Sequence, residues 1–242
     1  MPLFSHAVNN FWQAMFQDGD VVFRDDRLTV AANAKLAPDR RVMVLQRADG
    51  SIIAVLTPDL VEKLGLLPQQ YLTESSLRKI LREGNIDLHG ADYVFYFTEA
   101  NKQALLIEPQ RVSVRKLSSA DEAVFTLFQS QASEQDLDDA YVELDHWAVF
   151  GSFENGRLVC AASMYPWSAE EIADLGVLTL PGFRGMGHAR GVVRAISRFA
   201  YEQGYEPQYR CQTGNEASVS LAKSAGLSLF GTWEVISPEC SV

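Results

Sequence analysis

The sequence predicts an α/β protein with a mixed sheet, built as a smaller N-terminal α/β domain over 1–110 and a second domain over 111–242. Three observations lead there. Both halves of the chain mix short strand patterns with helical periodicity. Asp49-Gly50 and Asn155-Gly156 each stand between apolar runs, where two-residue turns join antiparallel strands. Over 172–200 an apolar strand, a glycine turn and an amphipathic helix follow without interruption.

In the first half, Arg41–Thr57 reads as a hairpin and Thr57-Pro58 opens a short helix that Gly65 can end. Thr73–Glu83 reads as a helix with Leu77, Ile80 and Leu81 on one face, and Tyr93–Thr98 as a strand. The polar, proline-bearing stretch Glu99–Gln110 is the candidate domain boundary. In the second half, Val112–Leu117 reads as a strand, and Ser119-Ala120-Asp121-Glu122 starts a helix carrying Val124, Phe125, Leu127 and Phe128. Trp147–Phe153 and Arg157–Met164 form the hairpin around Asn155-Gly156. The strand Leu175–Leu180 ends at Pro181, and the helix bearing Ala189, Val192, Val193, Ile196, Phe199 and Ala200 on one face stops before Gly204. Pro207–Gln212 reads as a strand.

Arg184-Gly185-Met186-Gly187-His188-Ala189 joins that strand to its helix. Two glycines strip side chains from the turn, so consecutive backbone N–H groups can converge on phosphate oxygens at the positive end of the helix. A diphosphate-bearing cofactor suits this pattern. A nucleotide-triphosphate loop needs Gly-Lys-Ser or Gly-Lys-Thr, whereas this turn continues His188-Ala189-Arg190. A dinucleotide site needs G-x-G-x-x-G and an acidic residue about 20 residues on. Gly185, Gly187 and Gly191 are misspaced for it, and Glu206 precedes Pro207.

Arg184, Gly187 and Ala189 instead match Arg/Gln-x-x-Gly-x-Gly/Ala. A second block, Asn215-Glu216-Ala217-Ser218 with Leu221, Ala225-Gly226-Leu227 and Trp233, matches N-x-x-S-x-x-L…G-F. In both blocks, their order and their separation, Val112–Ile236 resembles the GNAT superfamily of acyl-CoA-dependent N-acyltransferases, nearest its glycine N-acyltransferase-like branch. The resemblance implies a C-terminal GNAT fold that uses acetyl-CoA or another acyl-CoA as co-substrate and no metal. The N-terminal domain, which lacks the turn, is then either a separate α/β unit or a degenerate copy of the same fold. By the same resemblance the strand before the turn splays from its neighbour, and Val177, Leu178 and Thr179 hold the pantetheine arm. Arg184, Gly185, Met186, Gly187, His188, Ala189 and Arg190 bind the pyrophosphate, and Asn215 and Ser218 contact the cofactor. A serine in a first helical turn serves equally to satisfy backbone donors. The tyrosine by which many relatives protonate the leaving thiolate falls on Ala222, which leaves Ser220, Tyr209, Tyr165, Cys211 or water as the donor.

An alkyl amine, with a pKa near about 10, must lose a proton before it attacks a thioester, so a base is needed. Asp174, Glu171 and Glu170 lie in or just before the splayed strand, while His146 precedes the strand Trp147–Phe153 and titrates nearest neutrality. Asp174 ranks first and His146 second as catalytic residues, each reading also as a solvated strand-end or loop charge. The acidic stretch Glu134–Asp145 reads either as a solvated helix or loop or, by resemblance, as the acceptor-binding region. Cys160 lies in an apolar run and Cys211 has no sequence-near histidine, so direct transfer in a ternary complex is expected over an acyl-cysteine.

With 21 Lys+Arg against 31 Asp+Glu the formal charge is −10, which argues against nucleic acid or an anionic membrane as partner. A small-molecule or peptide amine suits that field, and a homodimer is compatible with it. Three cysteines without C-x-x-C spacing give neither a disulfide framework nor a zinc site, so the cytoplasm is the expected compartment. Met1–Asp18 lacks the basic start of a secretory signal, and no apolar window reaches transmembrane length. The expected function is N-acyl transfer from acyl-CoA to an amine, N-acetyl transfer in the first place; the alternative is a catalytically weak acyl-CoA-binding or regulatory module, which Ala222 and the extra domain motivate.

Overall fold

The computed structural model describes residues 3–17, 19–66, 71–109, 112–167, 171–238 and 240. Its elements begin with α1 (His6–Gln17), β1 (Asp20–Arg24), β2 (Leu28–Ala32), β3 (Val42–Arg47), β4 (Ile52–Leu56), α2 (Pro58–Lys63), α3 (Glu74–Glu83), β5 (Asp92–Phe97) and α4 (Glu99–Ile107). They continue with β6 (Val114–Lys116), α5 (Glu122–Gln129), α6 (Glu134–Ala140), β7 (Ala148–Glu154), β8 (Arg157–Pro166), β9 (Ile172–Thr179), α7 (His188–Glu202), β10 (Glu206–Gln212), α8 (Glu216–Ala225) and β11 (Leu227–Val235).

These elements gather into two compact units that interleave along the chain. One takes 1–8, 95–210 and 216–228, the other 9–94, 211–215 and 229–242. The sequence reading cuts the chain once, at 110/111, residues that lie outside the described set. Its candidate boundary, Glu99–Gln110, is mostly helix. Thr98 caps α4 by accepting the Asn101 N–H, and Arg198 of α7 donates to the carbonyls of Leu105 and Glu108 at its far end. A helix capped at one end and bonded at the other is packed structure.

In the unit holding 9–94 the strand order is β1-β2-β4-β3-β11, with β2 and β4 parallel and the other pairs antiparallel. The expected hairpin is present, Val42 pairing with Leu56 and Gln46 with Ile52. Val30, Val44, Ala54 and Leu56 share a core with Leu60, Leu77 and Leu81 of α2 and α3. Each large apolar side chain so buried stabilises by about 1.5–3 kcal/mol. Trp12 of α1 stacks on Phe230 with ring centroids 5.7 Å apart.

In the other unit the order is β5-β10-β9-β8-β7-β6, parallel between β9 and β10 and antiparallel from β9 through β6. Asn155 (φ 50°) and Gly156 (φ 79°) make the left-handed turn that joins β7 to β8. Successive strand residues face opposite sides, and both sides are covered. Val149, Ala161 and Leu178 pack with Phe125 and Phe128 of α5, while Phe150 meets Phe199 of α7 at 5.8 Å.

Gly176 of β9 has a packing role that its sequence context does not reveal. A Cβ there would lie 1.9 Å from the Ala140 carbonyl oxygen, so only glycine lets the end of α6 settle on β9. Gly176→Ala is expected to lower stability by about 1–3 kcal/mol through backbone displacement, measured as a fall in the urea midpoint. An unchanged midpoint would contradict this close seating.

Candidate active site

Strand β9 carries the site because its two edges are treated differently. Toward β8 it pairs from Ala173 to Thr179, but toward β10 only Ile172–Leu175 find partners, in Glu206–Tyr209. The register fixes which groups this exposes. Trp167 N–H bonds the Ile172 carbonyl and Leu180 N–H bonds the Val159 carbonyl, so even-numbered residues of β9 bond β8 and odd-numbered ones face the other edge. Val177 and Thr179 therefore present backbone groups beyond the last β10 pair. Among the described residues only Arg184 Nε meets them, at 3.2 Å from the Thr179 carbonyl. Leu178 departs from the sequence expectation: its backbone faces β8 and its side chain lies in the α5 core.

The strand leads through a 3-10 turn, Pro181–Phe183, into the glycine turn. Gly185 (φ 76°) and Gly187 (φ 84°) are left-handed, Gly187 stands at the N-cap of α7, and a Cβ on Gly185 would meet nothing within 4 Å. The N–H groups that open this 15-residue helix are thus bare of side chains. Met186 and Arg190 are exposed, and Ala189 is half-buried. Arg184 sends Nη2 to Asp136 Oδ1 of α6 at 2.9 Å, so two of its donors are already engaged. The His188 ring turns to β7, where Ser152 and Glu154 hold its two nitrogens. Asn215 is exposed immediately before α8, and Ser218 is half-buried in its first turn.

On the face of β8 and β9 that carries Gly176, polar side chains gather. Asp174 is buried, and both its oxygens are occupied: Oδ1 accepts from Gln208 Nε2 at 3.1 Å and from Arg210 Nε at 3.2 Å, and Oδ2 accepts from Arg210 Nη2 at 2.6 Å and Tyr165 Oη at 3.4 Å. Tyr96 Oη donates to Gln208 Oε1, and the Arg210 guanidinium lies over the Trp167 ring at 4.8 Å. The residue that the sequence ranks first as base thus sits inside this network. A carboxylate crowded by a bidentate arginine and two further donors organises its neighbours.

His146 is better placed. Its Nδ1 lies 2.8 Å from Ser163 Oγ, and Ser163 is opposite Gly176 in the ladder. Ser163 Oγ accepts the Glu143 N–H at 3.2 Å and donates to the Tyr141 carbonyl at 3.4 Å. With Nδ1–H donating to Oγ, all these groups are satisfied and Nε2 keeps its lone pair. Burial pulls the imidazole below its ordinary value, against the opposing pull of Asp145 and Glu143. The Tyr141 and Tyr165 rings stand 4.9 and 5.0 Å from it. Burial and the Asp174 charge hold the Tyr165 hydroxyl protonated, above the usual tyrosine range.

Ala222 is fully buried in α8, so a tyrosine is excluded there by packing. Burial pushes the Cys160 thiol up to about 12 and the Cys211 thiol up to about 11, far from thiolate chemistry at neutral pH. Tyr209 is buried against Phe95, and Glu170 lies outside the described residues. Tyr165 stood among the candidate donors, but its pairing with Tyr141 around His146 had no signal in local sequence, because only the fold brings the three rings together.

The GNAT acetyltransferase family model matches residues 68–236. The chain belongs to the GNAT acetyltransferase family. Family membership carries acyl transfer in general, and members generally use acetyl-CoA. Its fold is similar to that of a GNAT-family acetyltransferase from Colwellia psychrerythraea, 17% identical with a TM-score of 0.52, over 81% of this chain and 80% of that one. A protein assigned to the same family from Novosphingobium aromaticivorans DSM 12444 is 17% identical with a TM-score of 0.47, over 62% of this chain and 65% of that one. A conserved protein of unknown function from Staphylococcus epidermidis ATCC 12228 is 15% identical with a TM-score of 0.45, over 93% and 96%. No curated protein matches the chain by sequence.

Asp174→Asn is expected to cost about 3 kcal/mol in urea unfolding, the low end for a broken buried pair because the Arg210 side chain is 24% exposed. Lost activity with unchanged stability would restore Asp174 as the base.

Proposed function

We propose that this GNAT member transfers an acyl group, acetyl in the simplest case, from acyl-CoA to a small-molecule or peptide amine by direct attack within a ternary complex. The observation that carries this reading is the run Gly176–Thr179 of β9 beyond its last β10 partner, leading directly into the glycine turn at α7. The residues fit the co-substrate. Val177 and Thr179 offer backbone donors and an acceptor to an amide-bearing arm, and the N–H groups after Gly187 offer an anion site for a diphosphate.

A thioester supplies an activated acyl carbon, and the chain supplies position and proton handling. His146 Nε2 takes the proton that the amine loses as the new C–N bond forms, and the acyl C–S bond breaks with CoA leaving as its thiolate. Ser163 fixes the ring through Nδ1, and the Gly176–Ala140 contact fixes the segment over it. The segment from α6 to His146 carries Asp138, Asp139, Glu143 and Asp145, a local excess of negative charge that suits a cationic acceptor. Among the described residues no helix is long and apolar enough to cross a membrane.

Thermal unfolding with CoA, acetyl-CoA, longer acyl-CoAs, NAD and ATP tests the reading. A CoA species at 100 times its Kd should add about 2.7 kcal/mol, and NAD and ATP should add far less. Stabilisation with no thiol release across a broad amine panel would contradict transfer. Gly187→Leu, which puts a side chain at φ 84°, should weaken CoA binding at least about tenfold by calorimetry. In kcat/KM the acidic limb should fall below pH 6.5, since neutral His146 is the active form and its value is lowered from 6.5. His146→Gln should remove that limb and about 10²–10⁴ of the rate.

A further inference from the structure

We propose that Ser152 and Glu154 are positioning residues for acyl-CoA, acting through His188 to hold the pyrophosphate turn in shape before ligand arrives. This rests on the function proposed above. The two residues are next-but-one neighbours on β7, so both side chains stand on the α7 face. His188 is the first residue of α7, directly after Gly187, and its ring spans them: Nδ1 is 2.9 Å from Ser152 Oγ and Nε2 is 3.0 Å from Glu154 Oε2.

The chemistry of the three groups settles who donates. A carboxylate only accepts, so Nε2 carries a proton. In the neutral ring Nδ1 accepts from the Ser152 hydroxyl, and in the charged ring it donates to the Ser152 oxygen. Both bonds survive either state. Ser152 is 1% exposed, so its hydroxyl depends on an internal partner and the imidazole meets that need. The β7–β8 register shifts between Ser152 and Phe153, and the extra residue, Val159, lies on β8, so the alternation of β7 is unbroken from Ser152 to Glu154. The Phe183 ring closes one side of the imidazole, with centroids 6.2 Å apart.

The consequence falls on the backbone. Two bonded nitrogens leave the ring no rotational freedom, and the ring is one residue from the left-handed Gly187 whose position sets the helix N-terminus. A glycine turn left to itself samples many conformations, and a ligand must order it. Tied to β7, the turn meets the diphosphate already formed. The side chain of His188 is thereby a tether, and its contribution to the ligand comes through its backbone N–H.

CoA titrations of wild type, Ser152→Ala, Glu154→Ala and Glu154→Gln test this, with acyl-CoA KM, kcat and unliganded Tm read alongside. Ser152→Ala and Glu154→Ala should raise Kd and KM about three- to tenfold, the range for one lost hydrogen bond, with kcat within twofold. Glu154→Gln, whose side-chain carbonyl can still accept from Nε2, should recover most of the affinity. Backbone amides over 187–190 should exchange faster in the unliganded alanine variants. Wild-type binding with unchanged affinity in folded Glu154→Ala would overturn the tether alone, whereas absence of CoA binding by wild type would overturn the functional reading and the tether with it.

Discussion

Strand β9 keeps its ladder with β8 throughout but its ladder with β10 only to Leu175, and a strand in the middle of a sheet does not give up half its bonds without consequence. Each backbone group left without a partner away from water costs about 1–3 kcal/mol. At Val177 and at the Thr179 N–H those groups face sideways, fixed in direction by the intact β8 ladder, while Arg184 meets the Thr179 carbonyl. That combination of rigidity and missing partners is what a peptide-like arm requires of a binding edge. The glycine turn follows where the strand ends, and the first N–H groups of α7 continue the series of unmet donors.

The surroundings hold this edge in place. Gly176 opens the unpaired run and also admits the Ala140 carbonyl, so one residue without a side chain both starts the gap and seats the helix over it. The other end of α6 is tied by Asp136 to Arg184, which bonds the Thr179 carbonyl. On the paired half of β9, Asp174 binds Arg210, Gln208 and Tyr165 into one buried network. Asp174 joins β9 to its neighbours, while His146 is held apart from that network by Ser163.

Most of this fold was legible in the sequence where punctuation is strong. Asn155-Gly156, Asp49-Gly50 and the Thr57-Pro58 start each mark real boundaries, because positive φ and a missing N–H act locally. The glycine turn was legible for the same reason. What escaped were consequences of pairing and packing. Glu99–Gln110 stood out as a boundary by composition, while Thr98 and Arg198 make Glu99–Ile107 a helix with both ends bonded. Asp174 looked available because its partner Arg210 lies 36 residues away. Leu178 could not be told from its neighbours until the register set odd residues against even. Gly176 read as one more apolar-strand residue, since nothing in a linear sequence shows a helix end arriving over it.

The most direct measurement is residue-resolved amide hydrogen exchange of β9 with and without CoA. The Leu178 amide, already bonded to β8, should be protected in both states, whereas Val177 and Thr179 should gain protection only when CoA is present. Protection gained by Leu178, or no change at Val177 and Thr179 under saturating CoA, would contradict the assignment of the unpaired edge as the binding site.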